Sequence, residues 1–293
     1  MKISSKLVGT HLKDYHTDIS WRHTMNYAAA VGDNNPCYFD DERDQGIIAP
    51  PMFCVAATWP VVERTWRNLD KDDFPAEIIS TLVHYTEHLV FHRPLTPGDS
   101  LTIKGKIVAM LPRKAGTLIV IRLAAFDSNG ATVFTEHNGG LFRGVEIEGE
   151  GKGKNSLPPV PSREDDGSSI WRSQIQIDPM QNFIYDGCTD IVFPIHTSKQ
   201  FAHQVGLPDI ILHGTATLAL AVRELINKEA AMNPVRLRAI SCRFTGMVLP
   251  ATDIWVELAG KEVKTDNTDI FFTVTNQEGQ KIISEGFASL KSR

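Results

Sequence analysis

The chain has 293 residues, of which 42% are apolar, 22% charged and 8% aromatic. That suffices for one large domain or two ordinary ones with a substantial core, and it excludes disorder or a fibrous repeat as the main state. Thirty Lys and Arg against 35 Asp and Glu leave a formal charge of −5 with no large basic block, so no nucleic-acid partner is expected. The apolar run from Ile210 to Val222, broken by His213 and Gly214, falls short of the ~20 residues a membrane helix needs, so no membrane association is expected either. The N-terminus is basic without the apolar core of a signal peptide, and Leu290 to Arg293 is not an ordinary peroxisomal address, so a cytoplasmic location is expected. Cys37, Cys54, Cys188 and Cys242 lack paired spacing and are expected to be reduced and mostly buried.

From the N-terminus, the first informative stretch is the polar turn Gly32-Asp33-Asn34-Asn35-Pro36-Cys37-Tyr38. A spacer ending at Gly46 follows, then a long apolar stretch that predicts a helix starting near Met52. Pro60 inside it removes a hydrogen bond and crowds the previous turn, which predicts a break or kink. The segment from His84 reads as strand, proline turn, strand, with Leu101, Ile103, Gly105 and Ile107 on one face and Thr102, Lys104 and Lys106 on the other. A hairpin is predicted at Asn129-Gly130. His84, His88 and His92 would share one face of a strand, but at ~3.3 Å per residue they spread too far for one ion, so no metal is expected.

Gly149 to Ser169 is rich in Gly, Pro, Ser and charge, has no hydrophobic period and reads as a linker. Beyond it the same order recurs. A turn precedes Pro194 and a spacer ends at Gly206. A helix opens at Gly214 with Leu218, Ala221, Val222 and Leu225 on its inner face and Arg223, Glu224 and Lys228 outside. Strand, proline turn and strand follow from Arg238, and a hairpin at Glu278-Gly279 closes the repeat. The repeat predicts an N-terminal unit at 1–148, a linker at 149–168 and a C-terminal unit at 169–293. The expected fold class is α+β, a central helix wrapped by an antiparallel β-sheet and written twice, the architecture called a double hot dog.

The stretch Tyr185-Asp186-Gly187-Cys188-Thr189-Asp190-Ile191-Val192-Phe193-Pro194-Ile195-His196, followed by Ile211-Leu212-His213-Gly214, resembles the MaoC-like, type 2 (R)-specific enoyl-CoA hydratase family. That family's signature is a Tyr or Phe, then Gly-Asp-x-Asn-Pro-x-His, then Leu-His-Gly at a helix start. The first unit carries the same signature at Gly32 to Tyr38, with Tyr38 in the His position, and the resemblance covers nearly the whole chain. It implies (R)-specific hydration of 2-enoyl-CoA thioesters, or the reverse dehydration of 3-hydroxyacyl-CoA, at one site in the C-terminal unit. The N-terminal unit would enclose the acyl tail. His196 and Asp190 would hold the attacking water and manage its protons, and Gly214 at the helix tip would offer N–H to the thioester oxygen. The chemistry requires no metal and no organic cofactor. Pairing of such units makes a homodimer the expected assembly.

The signature is not intact. Counted forward from Tyr185, Asp190 falls where the motif's Asp belongs; counted back from His196, that place is held by Ile191, as if one residue had entered the turn. Phe193 stands where the motif has Asn. His213 reads as a packing residue at the helix start, Asp33 and Asn35 as turn formers, and Tyr38 as filling the space of an imidazole. Arg236, Arg238 and Arg243 could form a basic patch at a cleft mouth, although solvated surface is the plainer role. The departures keep open a non-catalytic acyl-thioester binding or scaffolding subunit. A hot-dog thioesterase is disfavoured, because no carboxylate lies between Gly214 and Arg223.

Overall fold

The alternating segments of both halves pair into one antiparallel sheet. The computed structural model describes residues 1–69, 74–164 and 167–292; Asp165 and Asp166 of the expected linker lie outside them. In chain order the main elements of the first half are β1 (Lys2–Ser4), β2 (Tyr15–Asp18), α1 (Trp21–Ala30), α2 (Phe53–Arg64), β3 (Leu82–Phe91), β4 (Ser100–Arg113), β5 (Gly116–Phe126), β6 (Thr132–Arg143) and β7 (Glu146–Glu148). The second half contributes β8 (Trp171–Gln176), α3 (Gln181–Thr189), α4 (Lys199–Gln204), α5 (Gly214–Glu229), β9 (Leu237–Phe244), β10 (Asp253–Val263), β11 (Asn267–Asn276) and β12 (Lys281–Lys291).

The ten-stranded sheet has the order β2-β4-β5-β6-β3-β9-β12-β11-β10-β8, and each half reads as the mirror of the other about the central pair. At that pair β3 and β9 run antiparallel, with Thr86 opposite Arg243, Glu87 opposite Cys242 and Leu89 opposite Ile240. β1 and β7 form a separate parallel ribbon. The two long helices α2 and α5 are buried on most of their circumference, which is how a helix enclosed by a sheet differs from one lying on a surface. This is the α+β double hot-dog architecture, and one continuous apolar cluster including Phe53, Leu89, Phe134, Leu218 and Ile240 runs through both halves.

Two local expectations change. α2 continues through Pro60 to Arg64 instead of breaking. The proline forfeits one hydrogen bond, whereas Phe53 to Thr58 and Val61 are all buried, and that apolar burial outweighs the loss. The three histidines also do not share a face. The β3–β6 ladder slips between His84 and Thr86, so Tyr85 is an extra residue that inverts the facing of everything before it. His84 therefore lies on the same side as Glu87 and Leu89, and away from His88.

The crossing segment is held to the sheet rather than hanging free: Lys152 and Met110 exchange backbone hydrogen bonds at 2.8 and 2.9 Å. Next to that bridge Gly153 has φ of +82°, and a Cβ there would sit 1.9 Å from the Val108 carbonyl oxygen, so only glycine fits.

Leu89 is fully buried beside the central pair. Leu89→Ala is expected to destabilise the protein by about 2–5 kcal/mol through lost transfer energy and a residual cavity. Urea unfolding would measure this, and a change below about 1 kcal/mol would show that the junction is not part of the cooperative core.

Candidate active site

The two halves place their signature segments alike. Tyr27 and Tyr185 each lie nine residues before the motif proline, Pro36 and Pro194, at corresponding points of α1 and α3. Their hydroxyls meet at 3.0 Å. The residue five beyond each tyrosine, just past the helix, adopts a left-handed conformation, Gly32 at φ 59° and Asp190 at φ 56°. Since the tyrosine-to-proline spacing is equal in the two halves, no residue has been inserted. Asp190 occupies the position of the motif's glycine, a conformation that Asp tolerates better than most side chains, and Ile191 stands where the first half has Asp33. The Asp190 side chain is 78% exposed and lies 3.2 Å from His23 Nε2. The structure thus does not bring Asp190 to His196; His23 is its one ion-pair partner among the described residues.

His196 closes a short 3-10 turn, Pro194–His196, which begins with the proline that fixes its first dihedral. Its Nδ1 lies 2.7 Å from the Ile211 carbonyl oxygen, which assigns the hydrogen to Nδ1 and leaves the lone pair on Nε2. Burial lowers the His196 ring to about 4, so it is neutral at physiological pH. It stacks on His213, with centroids 3.7 Å apart and planes 23° from parallel. His213 is almost fully buried, and burial together with His196 keeps it well below the ordinary imidazole range. Its Nε2 lies 2.9 Å from the Ile191 carbonyl oxygen and therefore carries a hydrogen, while its buried Nδ1 has no partner. The backbone of the residue that replaced the motif's Asp thus holds the second imidazole.

The carboxyl nearest this pair is Asp186, whose Oδ2 is 3.8 Å from His213 Nε2 and is itself buried without a hydrogen-bond partner. Burial, then the neighbouring Asp190, raise its pKa. Sequence reasoning passed over Asp186, although it lies on the stripe of α3 that carries the buried Asn182, Tyr185 and Thr189. That helical spacing was the available signal.

Gly214 is the first residue of α5, and no side chain caps that end. A Cβ at Gly214 would come within 3.3 Å of the Phe244 ring, so glycine lets the aromatic side chain close on the helix tip. The first-turn N–H groups lack intrahelical acceptors and suit a developing oxyanion. One residue on, the Thr215 Oγ1 accepts from Tyr185 OH at 3.1 Å, extending the Tyr27–Tyr185 contact to the helix tip.

In the first half the equivalent turn is structural. Asp33 Oδ1 accepts from Asn35 N, Asn35 Oδ1 from Cys37 N, and Asn35 Nδ2 donates to the Met232 carbonyl at 2.7 Å. Tyr38, at the place of His196, is fully buried with no partner for its hydroxyl. A narrow cleft of about 30 Å³ opens beside α2 between Pro50, Pro51, Cys54 and Leu237. Arg238 lines it, but the three-arginine patch does not form: Arg236 donates to the Lys291 and Glu229 carbonyls, and Arg243 pairs with Glu285.

Two family models match separate stretches of the chain. The MaoC like domain matches residues 166–282, and the FAS1-like, dehydratase domain region matches residues 6–136. The chain is 24% identical over 290 residues to the probable enoyl-CoA hydratase 2 of Dictyostelium discoideum, covering 98% of this chain and 96% of that protein. It is 26% identical over 275 residues to the peroxisomal multifunctional enzyme type 2 of Drosophila melanogaster, covering 92% of this chain but 44% of that longer protein. Among solved structures, a MaoC-like dehydratase from Phytophthora capsici superimposes with a TM-score of 0.84 at 22% identity, covering 98% of this chain and 96% of the other. A Mycobacterium tuberculosis protein described as a double hot-dog fold gives a TM-score of 0.64 at 13% identity, covering 97% and 96%. Residues 166–282 thus match the MaoC like domain, and the chain as a whole has the double hot-dog fold.

Proposed function

We propose that this chain is a hydratase/dehydratase of acyl-CoA thioesters, catalysing (R)-specific hydration of 2-enoyl-CoA or the reverse dehydration of 3-hydroxyacyl-CoA in its C-terminal half. The observation that carries this reading is His196, a neutral imidazole held through Nδ1 by the Ile211 carbonyl and with no hydrogen bond to Nε2 among the described residues, in the turn that packs against the uncapped tip of α5. The enoyl-CoA hydratase names among the relatives support it. In the hydration direction, His196 Nε2 takes a proton from water as the water oxygen bonds to C3. Charge moving onto the thioester oxygen is received by the N–H groups at Gly214. Asp186, not Asp190, is the carboxyl that lies beside the imidazole pair, 3.8 Å from His213 Nε2. The first half, with Tyr38 in place of an imidazole, encloses the acyl group.

A second reading, a non-catalytic acyl-thioester binder, is favoured by one observation: the motif's Asp is Ile191, and Asp190 faces His23. Spectrophotometric assay of enoyl-CoA consumption separates the two. Turnover that falls at least ~100-fold in a folded His196→Ala variant supports the enzyme, whereas acyl-CoA binding with no turnover at any chain length supports the binder. Release of free thiol would instead indicate a thioesterase.

The pH dependence has a definite sign. The base must be neutral, and the folded His196 takes up a proton only near about 4, so kcat/KM for hydration is expected to hold through mildly acidic pH and fall as pH drops through that value. An acid limb near the ordinary histidine value of ~6.5 would contradict the buried geometry.

The carboxylates give a paired test. Asp190→Gly should leave turnover within about twofold and stability unchanged or raised by up to ~1 kcal/mol, because glycine accepts the left-handed conformation freely. Asp186→Asn should lower turnover about tenfold or more. The reverse ranking in steady-state kinetics would return Asp190 to the mechanism.

A further inference from the structure

Three hydroxyls run in a line from the first half to the tip of α5. Tyr27 on α1 and Tyr185 on α3 meet at 3.0 Å, and Tyr185 donates to Thr215 Oγ1 at 3.1 Å. A phenol has one hydrogen, so with that of Tyr185 given to Thr215, the hydrogen between the two tyrosines comes from Tyr27. The line therefore has a direction. It starts in one half and ends on the second residue of the other half's long helix.

Two other contacts already tie α1 to α3. Gln181 Nε2 donates to the Ala30 carbonyl at 2.6 Å, and His23 Nε2 lies 3.2 Å from the Asp190 carboxylate. Both tyrosines are fully buried. Burying two phenol hydroxyls carries a desolvation cost that two phenylalanines would avoid, and replacing both partners of such a pair by apolar rings can be near neutral for stability. The hydroxyls thus add little to the stability of the fold; what they fix is where Tyr185 and Thr215 sit.

Both positions bear on the proposed chemistry. The first backbone bond of α5 runs from Thr217 N to the His213 carbonyl, so the Thr215 N–H belongs to the first turn, where no intrahelical acceptor exists. The hydroxyl line grips that residue by its side chain and leaves the N–H free. At the same time the Tyr185 ring packs on His213, with centroids 4.9 Å apart, and His213 stacks on His196 at 3.7 Å. One tyrosine touches both the helix tip and the imidazole pair. Tyr27 behind it is held in turn, its ring meeting Phe53, the first residue of α2, edge to face at 5.8 Å.

Resting on the hydratase reading, we propose that Tyr27 is a positioning residue of the site, contributed by the first half: through Tyr185 it fixes the Thr215 N–H at the α5 tip relative to the His213–His196 stack. Tyr27 exchanges no proton with the substrate. The first half is then more than an enclosure for the acyl group, because it sets the separation between the base and the oxyanion donors. A misplacement of about 1 Å between reacting groups costs on the order of 100-fold in rate, so a hydroxyl that matters little to folding still registers in kcat.

The test is a double-mutant cycle on the intact protein, read by steady-state hydration of enoyl-CoA and by urea unfolding. Tyr27→Phe should lower kcat about tenfold, with KM and the urea midpoint little changed. Thr215→Val should lower kcat at least as far, Thr215→Ser should restore it, and Tyr27→Phe should add nothing in the Thr215→Val background, because the line is already broken there. Four results overturn the proposal: Tyr27→Phe at the wild-type kcat, a loss matched by a fall in stability, a loss that adds in full to that of Thr215→Val, or a Tyr27→Phe chain that does not fold, which would make the hydroxyl structural. If one of these is found while His196→Ala is inactive, the hydratase reading stands without it; if wild type hydrates no enoyl-CoA, both fall.

Discussion

The backbone pairing of β3 with β9 is the interaction on which the molecule depends. Each half alone would present a long, unpaired strand edge, a template for uncontrolled association. Joining the two edges removes both and makes one ten-stranded sheet around two buried helices. It also sets the distances between the halves. Leu89 meets Ile240 on the shared inner face, and Phe244, at the end of β9, is brought between His84 and Gly214. Side chains of one half are therefore set near the helix tip of the other by a hydrogen-bond ladder, not by flexible loops.

A second constraint is the fixed spacing from tyrosine to proline. Tyr27 and Tyr185 hold α1 against α3 through their hydroxyls, and each helix must then stop with a left-handed residue before the motif turn begins. That geometry decides what Asp190 is. Its carboxylate points to His23 because the backbone position it occupies is the one glycine fills in the other half.

Much of the fold was readable from the chain because its signals are local and repeated: the alternation in β4, the amphipathic run in α5, and two hairpins marked by Asn129-Gly130 and Glu278-Gly279. The site was readable only in part. His196 and Gly214 stand together in the structure's candidate centre because Pro-x-His and His-Gly are short-range patterns tied to a turn and a helix start. Asp190 was ambiguous because counting from two anchors gave two answers, and only the φ angle distinguishes a glycine position from an inserted residue. Asp186 needed the facing of α3. The grouping of His84 with Glu87 was hidden by the bulge at Tyr85, since a regular alternation puts His84 with His88 instead. Long-range neighbours such as Tyr185 and Thr215 leave no trace in spacing at all.

The crossing segment anchored at Lys152 has an evolutionary consequence. Two identical subunits meeting at such a junction would suffer every substitution twice, once on each side of the axis. Covalent connection frees the sides to differ, and here they do: Asp33 stands where the other half has Ile191, His196 stands where the first half has Tyr38, and neither half carries both groups.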